Sequence, residues 1–65
     1  MRDFQKKREA LGLTVETTAR ILGVTRRNVQ RWETFVPHDM RDPNPTAMKV
    51  MDWMIKGFRP PEWYE

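Results

Sequence analysis

Residues 14–33 have the sequence TVETTARILGVTRRNVQRWE, and they carry the strongest structural signal in the chain. Apolar side chains recur at three- and four-residue intervals on both sides of Gly23, which predicts two amphipathic helices. Thr14 and Thr25 precede these helices, and a threonine hydroxyl at such a position accepts a hydrogen bond from a free N–H of the first turn. Gly23 tolerates the positive φ that commonly ends a helix. With about three residues between the two helices, the stretch predicts a helix-turn-helix.

The rest of the chain carries similar signals. Asp3 and Asn44 are candidate caps for two further helices, and a proline-rich loop over residues 35–44 separates the second of them from the helix-turn-helix. The chain is therefore expected to be all-α, a compact bundle of four to five helices. The predicted helices cover about residues 3–11, 15–22, 26–34 and 45–56.

The predicted fourth helix is apolar over more than half of its circumference. A helix in a small domain needs one apolar side for the core, so the excess predicts a second contact, with another subunit. The methionines fit either the core or such an interface. Aromatic residues and Pro60-Pro61 in residues 58–65 predict a tail, distinct from a domain over residues 1–57, that folds back or lies across a partner. The candidate dimer contacts are Met48, Met51, Trp53, Ile55 and Trp63.

Charge is distributed unevenly along the chain. The net charge is only +3, but the segment between Glu16 and Glu33 contains four arginines and no acid. Such a local basic surface is typical of nucleic-acid binding, although it also fits a merely solvated helix face. Arginine in place of lysine favours binding, because a guanidinium can donate two hydrogen bonds to a phosphate or to a guanine edge.

Composition argues against several classes of protein. The 65 residues include no cysteine and one histidine, and they lack a glycine-rich phosphate loop, so neither an enzyme nor a small-molecule substrate or cofactor is expected. His38 lies near Asp39 and Asp42, but no second histidine exists to complete a transition-metal site. No apolar run approaches the roughly 20 residues of a membrane span, and no signal peptide opens the chain, so a cytoplasmic protein is expected.

Residues 11–33 resemble the helix-turn-helix of the Cro/C1 repressor family, also called the XRE family. The resemblance implies a lambda-repressor-like fold and a sequence-specific DNA-binding transcriptional regulator. It further implies a repressor with residues 26–34 in the major groove. One recognition helix contacts only a few base pairs, so binding to an inverted-repeat operator as a homodimer is expected on physical grounds. The matching positions are Leu11-Gly12-Leu13-Thr14, Glu16, Ala19, Leu22-Gly23-Val24, Val29 and Arg31-Trp32-Glu33.

The resemblance also assigns roles to individual residues. Val15 and Thr25 open the two helices and are expected to contact DNA phosphates, while Arg8 and Glu33 match an ion pair of the family. Arg20 and either Lys6 or Lys7 are expected to add phosphate contacts, whereas Gln30 either faces away or reaches the adjacent DNA backbone. The expected base contacts are Arg26, Arg27, Asn28 and Arg31.

The chain departs from the family at several places. Val15 replaces a common glutamine, Thr18 replaces a leucine and thins the core, and the loop after Glu33 is longer than usual. The small size, this loop and the tail give a weaker resemblance to short repressors encoded beside anti-CRISPR genes, which implies a phage or mobile-element origin. The aromatic C-terminal third leaves one alternative: a protein-interaction module, such as an antitoxin, that acts through the fourth helix and the tail.

Overall fold

Four helices make up the fold. The computed structural model of the protein describes residues 2–61 and 63, and within these residues it contains no strand. The all-α prediction is confirmed, and each predicted helix is present with ends that differ by at most one residue. None of the helices in the described ranges is long and apolar enough to cross a membrane. The helices are α1 (Asp3–Ala10), α2 (Val15–Leu22), α3 (Arg26–Glu33) and α4 (Pro45–Ile55).

Side-chain caps begin three of the four helices. The hydroxyls of Thr14 and Thr25 each accept a hydrogen bond of 3.1 Å from the backbone N–H three residues later, at the starts of α2 and α3. The Asn44 side chain accepts one of 2.8 Å from the N–H two residues later, at the start of α4. The prediction for α1 is wrong: Asp3 is its first helical residue, and Arg2 occupies the cap position without a side-chain cap hydrogen bond. Asp3 instead places a negative charge in the first turn of α1, where it interacts favourably with the positive end of the helix dipole.

The turn between α2 and α3 depends on the left-handed backbone of Gly23. Its φ is +70°, a conformation that glycine adopts without the steric penalty of a β-carbon. The N–H of Val24 donates to the carbonyl of Ala19 at 3.0 Å, and the N–H of Gly23 donates to that of Arg20 at 3.3 Å. These two hydrogen bonds form a Schellman motif. The motif ends α2 and turns the chain directly into the cap of α3.

The core lies where α1 meets α3 and α4. The Phe4 ring of α1 packs edge-on against Trp32 of α3, with ring centroids 5.2 Å apart. Pro60 is also buried and Trp63 packs against the core, so the described part of the tail folds back on the helices. The buried apolar residues are Phe4, Leu13, Ala19, Val29, Trp32, Ala47, Met51 and Met54.

One predicted dimer contact is part of this core. Met51 has an exposed fraction of 0%, so it cannot contact a second subunit while the domain is folded. The sequence could not separate Met51 from its apolar neighbours, because apolar residues occupy most of the circumference of α4. The structure therefore removes Met51 from the candidate dimer surface.

Thr18 is an unusual member of the interior. It is fully buried in α2, and its hydroxyl oxygen has no hydrogen-bond partner among the described residues. A buried polar group without a partner destabilises a protein, whereas an apolar group of the same shape does not. The threonine that replaces the family's leucine therefore carries an energetic cost.

Replacing Thr18 with valine is expected to stabilise the domain by about 1 kcal/mol, because valine keeps the shape and removes the hydroxyl. Thermal unfolding should show a rise in Tm of roughly 4–8 °C. Thr17→Val is the matched control, since the Thr17 hydroxyl is partly exposed and hydrogen-bonded to Thr14 at 3.0 Å. An unchanged or lower Tm for Thr18→Val would show that the hydroxyl is satisfied in the folded protein.

Candidate nucleic-acid interface

The third helix has one buried side and one exposed side. Val29 is fully buried and Trp32 nearly so, and their i, i+3 spacing places both against the core. The remaining directions carry basic and amide side chains that are exposed to solvent. These exposed residues are Arg26, Arg27, Asn28 and Gln30, and we call them the outer face of α3.

Two arginines of the outer face lie near acids. A nitrogen of Arg26 is 3.9 Å from a carboxylate oxygen of Glu16, and both side chains are more than 60% exposed. Arg27 donates from Nη2 to Oδ1 of Asp39 at 3.3 Å. Exposed pairs of this kind are worth about 0–1 kcal/mol, so a DNA phosphate or base can displace or share them.

Arg31 occupies a different environment from the rest of the predicted base contacts. The residue is half-buried, and its Nε is buried without a hydrogen-bond partner in the described part of the chain. Its side chain faces a small cleft of about 130 Å³ between α3 and the following loop. Arg31 therefore lies beside the outer face and not on it. The other residues that line this cleft are Arg27, Gln30, Thr34 and Asp39.

The predicted phosphate contacts are distributed around the helix-turn-helix. Val15 and Thr25 lie at the N-terminal ends of α2 and α3, where backbone N–H groups are left without helical partners. Lys6 on α1 and Arg20 near the end of α2 are exposed. Helix N-termini and basic side chains are the usual donors to DNA phosphates.

Lys7 is used differently from the prediction. Its ammonium group forms an ion pair with Asp52 of α4 and is half-buried. This pair joins α1 to α4, so the Lys7 ammonium group already has a partner within the protein. Of the two lysines that the sequence left open, the structure keeps Lys6 as the candidate phosphate contact.

The ion pair between Arg8 and Glu33 fixes the end of α3. Arg8 donates from Nε and Nη2 to the two carboxylate oxygens at 2.6 and 3.0 Å, and from Nη1 to the Leu13 carbonyl at 2.8 Å. Both side chains are about nine-tenths buried. The hydrogen bond with Glu33 raises the pKa of the Arg8 guanidinium above its ordinary value, against the opposing effect of burial. The pair holds α3 against α1 on the side away from the outer face.

The loop over residues 34–44 is docked onto α3 by a residue that sequence reasoning missed. Arg2 donates from Nη1 to the carbonyls of Arg31, Thr34 and Arg41 at 3.2, 3.4 and 3.0 Å. The N–H of Arg41 also donates to the Arg31 carbonyl at 3.1 Å. The bonds to Arg31 and Thr34 satisfy free carbonyls at the end of α3, and the bond to Arg41 ties the loop to the same guanidinium. No local pattern around Arg2 indicates this role, because its partners lie about thirty residues or more away.

The two acids of the loop do not lie together. Asp39 contacts Arg27, while Asp42 contacts Nη2 of Arg2 at 3.4 Å. The neighbouring His38 is exposed. From the sequence, these three residues were considered as a possible metal site. In the structure, the two carboxylates contact two different arginines.

A second exposed surface is apolar and lies at the end of α4. Trp53 and Phe58 are 48% and 49% exposed, and their rings meet edge-on with centroids 6.3 Å apart. Ile55 is also 49% exposed, but two residues along a helix are about 200° apart, so it lies on another side of α4 from Trp53. Met48 and Trp63 are only half-buried. Exposed aromatic residues grouped in this way are typical of interaction surfaces.

A tight turn between two helices, the second of which has an exposed basic and amide face, defines a helix-turn-helix DNA-binding protein. Residues 4–34 match the family model described as "Helix-turn-helix". The match covers α1, α2 and α3 and supports the predicted helix-turn-helix of the Cro/C1 type, a family of DNA-binding regulators. Comparison with curated proteins and with solved structures gives no match.

Proposed function

We propose that the protein is a sequence-specific transcriptional repressor that binds an inverted-repeat operator as a homodimer, with α3 in the major groove. The observation that carries this proposal is the outer face of α3, which is exposed while the opposite side is anchored in the core. An α-helix about 10–12 Å in diameter fits the major groove, which is about 12 Å wide.

The proposed contacts follow from the chemistry of each side chain. Arg26 and Arg27 donate paired hydrogen bonds to guanine O6 and N7, and Asn28 pairs with adenine; each such contact is worth about 1–3 kcal/mol of discrimination. Arg31, at the edge of the outer face, contacts a base or the flanking backbone. The residues assigned to phosphates are Val15, Thr25, Arg20, Gln30 and Lys6.

The proposed dimer rests on the length of DNA that one helix contacts. A single recognition helix contacts only a few base pairs, so specific binding needs a second copy at a half-site about one helical turn away. Trp53 and Phe58 offer an exposed apolar surface for that second copy. Ile55 is exposed on another side of α4, and Met48 and Trp63 are half-buried, so these three are further candidate contacts. In this arrangement residues 1–57 bind DNA and residues 58–65 support the subunit contact.

Selection from a pool of randomised DNA duplexes tests the proposal. The wild-type protein should enrich one sequence with two half-sites in inverted repeat, about one helical turn apart. In a titration against a scrambled duplex of the same composition, the enriched duplex should bind at least about 10³-fold more tightly at physiological salt. Both affinities should fall as salt rises, because basic residues release counterions from the DNA.

Two results would contradict the proposal in different ways. Equal affinity for the enriched and the scrambled duplex would remove sequence specificity and favour the alternative of a protein-interaction module, for which the exposed Trp53 and Phe58 are the supporting observation. Enrichment of a single half-site without symmetry would keep DNA recognition and remove the homodimer.

A further inference from the structure

Among the residues that the structure describes, Asp39 is the acid that forms a hydrogen bond with the outer face of α3. Its Oδ1 accepts from Nη2 of Arg27 at 3.3 Å, twelve residues back along the chain. The Arg27 side chain is 61% exposed and that of Asp39 is 40% exposed, so the pair lies at the rim of the candidate interface and not inside the protein.

The backbone around Asp39 is held in place, which distinguishes this pair from a chance meeting of two mobile side chains. The N–H of Asp39 donates to the Val36 carbonyl at 3.0 Å and closes a turn. The Thr34 hydroxyl accepts from the N–H of Val36 at 3.1 Å at the start of that turn. Two residues beyond Asp39, the N–H of Arg41 is bonded to the end of α3. The carboxylate is therefore presented to Arg27 from a fixed position.

The contact uses only a small part of the guanidinium. A guanidinium has five N–H donors in one plane, and Asp39 accepts from Nη2 alone. The remaining donors stay available to solvent because the side chain is mostly exposed. Bidentate contact with guanine requires a defined orientation of this plane, and an arginine that is free to rotate must lose side-chain entropy to reach it.

From this geometry we infer that Asp39 is a positioning residue that sets the base specificity of Arg27. The inference rests on the proposed function and extends it from α3 to the loop. Asp39 holds one edge of the guanidinium, and the remaining donors face a guanine. Its negative charge also opposes a DNA phosphate at the same place, which disfavours the sequence-independent pairing that an unrestrained arginine makes.

The test compares base preferences and not affinity alone. Selections from the randomised duplex pool are run with the wild-type protein, Arg27→Ala, Asp39→Ala and Asp42→Ala. Asp42→Ala is the matched control, because it removes the same charge from the same loop, and its carboxylate is 99% exposed and contacts Arg2 instead. Thermal unfolding of each variant checks that the fold is retained, and Asp39→Leu, which also lacks an acceptor for Arg27, replaces the alanine variant if that variant is unstable.

Arg27→Ala should relax the base preference at one position of each half-site. Asp39→Ala should relax the same position, with a loss of about tenfold in the ratio of affinities for the enriched duplex and for the duplex changed at that position. Asp42→Ala should leave that ratio unchanged. In the Arg27→Ala background, Asp39→Ala should have no further effect on the ratio.

The inference is overturned if Asp39→Ala and Asp42→Ala have the same base-preference profile, because Asp39 then has no effect beyond that of any acid in this loop. It is also overturned if Asp39→Ala relaxes a position that Arg27→Ala leaves unchanged. A wild-type protein that enriches no sequence is a separate result: the proposed function then fails, and this inference fails with it.

Discussion

Replacing Glu33 with alanine is expected to lower the free energy of unfolding by about 3–5 kcal/mol, since it leaves the largely buried guanidinium of Arg8 without its partner. A domain of this size has little stability to lose, so the variant should be partly or wholly unfolded at room temperature. Urea unfolding followed by tryptophan fluorescence measures the effect, because Trp32 lies in the core.

Glu16→Ala is the matched control. Glu16 also lies near an arginine, but that pair is exposed at 3.9 Å, and its loss should change the unfolding free energy by less than about 1 kcal/mol. A second test replaces both partners, as Arg8→Met with Glu33→Leu, and should recover much of the stability because no buried charge is left unpaired. If Glu33→Ala unfolds at the same urea concentration as Glu16→Ala, the pair does not hold α3 against α1.

The ionisation of Arg8 in the Arg8–Glu33 ion pair should not make the free energy of unfolding depend on pH in the neutral range. Its hydrogen bond with Glu33 raises the pKa of Arg8 in the folded state. A raised pKa contributes stability fully below the unfolded-state pKa, and this contribution is lost only as the pH rises through the folded-state value. For an arginine both values lie far above neutral pH.

Combined replacement of Arg26 and Arg27 by alanine is expected to weaken binding to the enriched duplex by at least about 30-fold. Each arginine is proposed to make a paired contact with guanine worth about 1–3 kcal/mol, and the two losses add approximately. The scrambled duplex should lose less, because it offers no matched guanine edge and only phosphate contacts disappear. The titration measures both affinities at two salt concentrations.

Lys49→Ala with Lys56→Ala is the control for charge. Both lysines are exposed, on α4 and at its end, so this variant removes the same two charges away from the outer face of α3. It should lower both affinities by similar small factors and leave their ratio unchanged. If the arginine and lysine variants lose affinity for the enriched duplex equally, Arg26 and Arg27 provide charge but no base specificity.

Local sequence signals predicted most of the fold, and the reason is visible at each helix end. Thr14, Thr25 and Asn44 cap helices through hydrogen bonds that span two or three residues, and Gly23 ends α2 within its own turn. Such contacts depend on nearby residues alone and are therefore open to sequence reasoning. The outer face of α3 was predictable for the same reason, because Val29 and Trp32 fix which side of the helix is buried.

The unpredicted contacts that hold the loop and that join α1 to α4 connect distant segments. Lys7 pairs with a residue 45 positions away, and Arg2 bonds to carbonyls on both sides of the loop. The position of Asp39 depends on how residues 34–44 cross the end of α3, and no periodicity in the sequence predicts that path. The family match ends at residue 34, so neither the loop nor α4 could be placed by the resemblance.

The separation of the two sides of α3 has a consequence for how the DNA preference of the proposed repressor can change. Because the outward side chains contribute nothing to the core, residues 26, 27, 28 and 30 can be varied in a library that omits proline and glycine with little loss of stability, while Val29 and Trp32 stay constant. Altered binding preferences can thus arise by drift or by engineering on an unchanged scaffold.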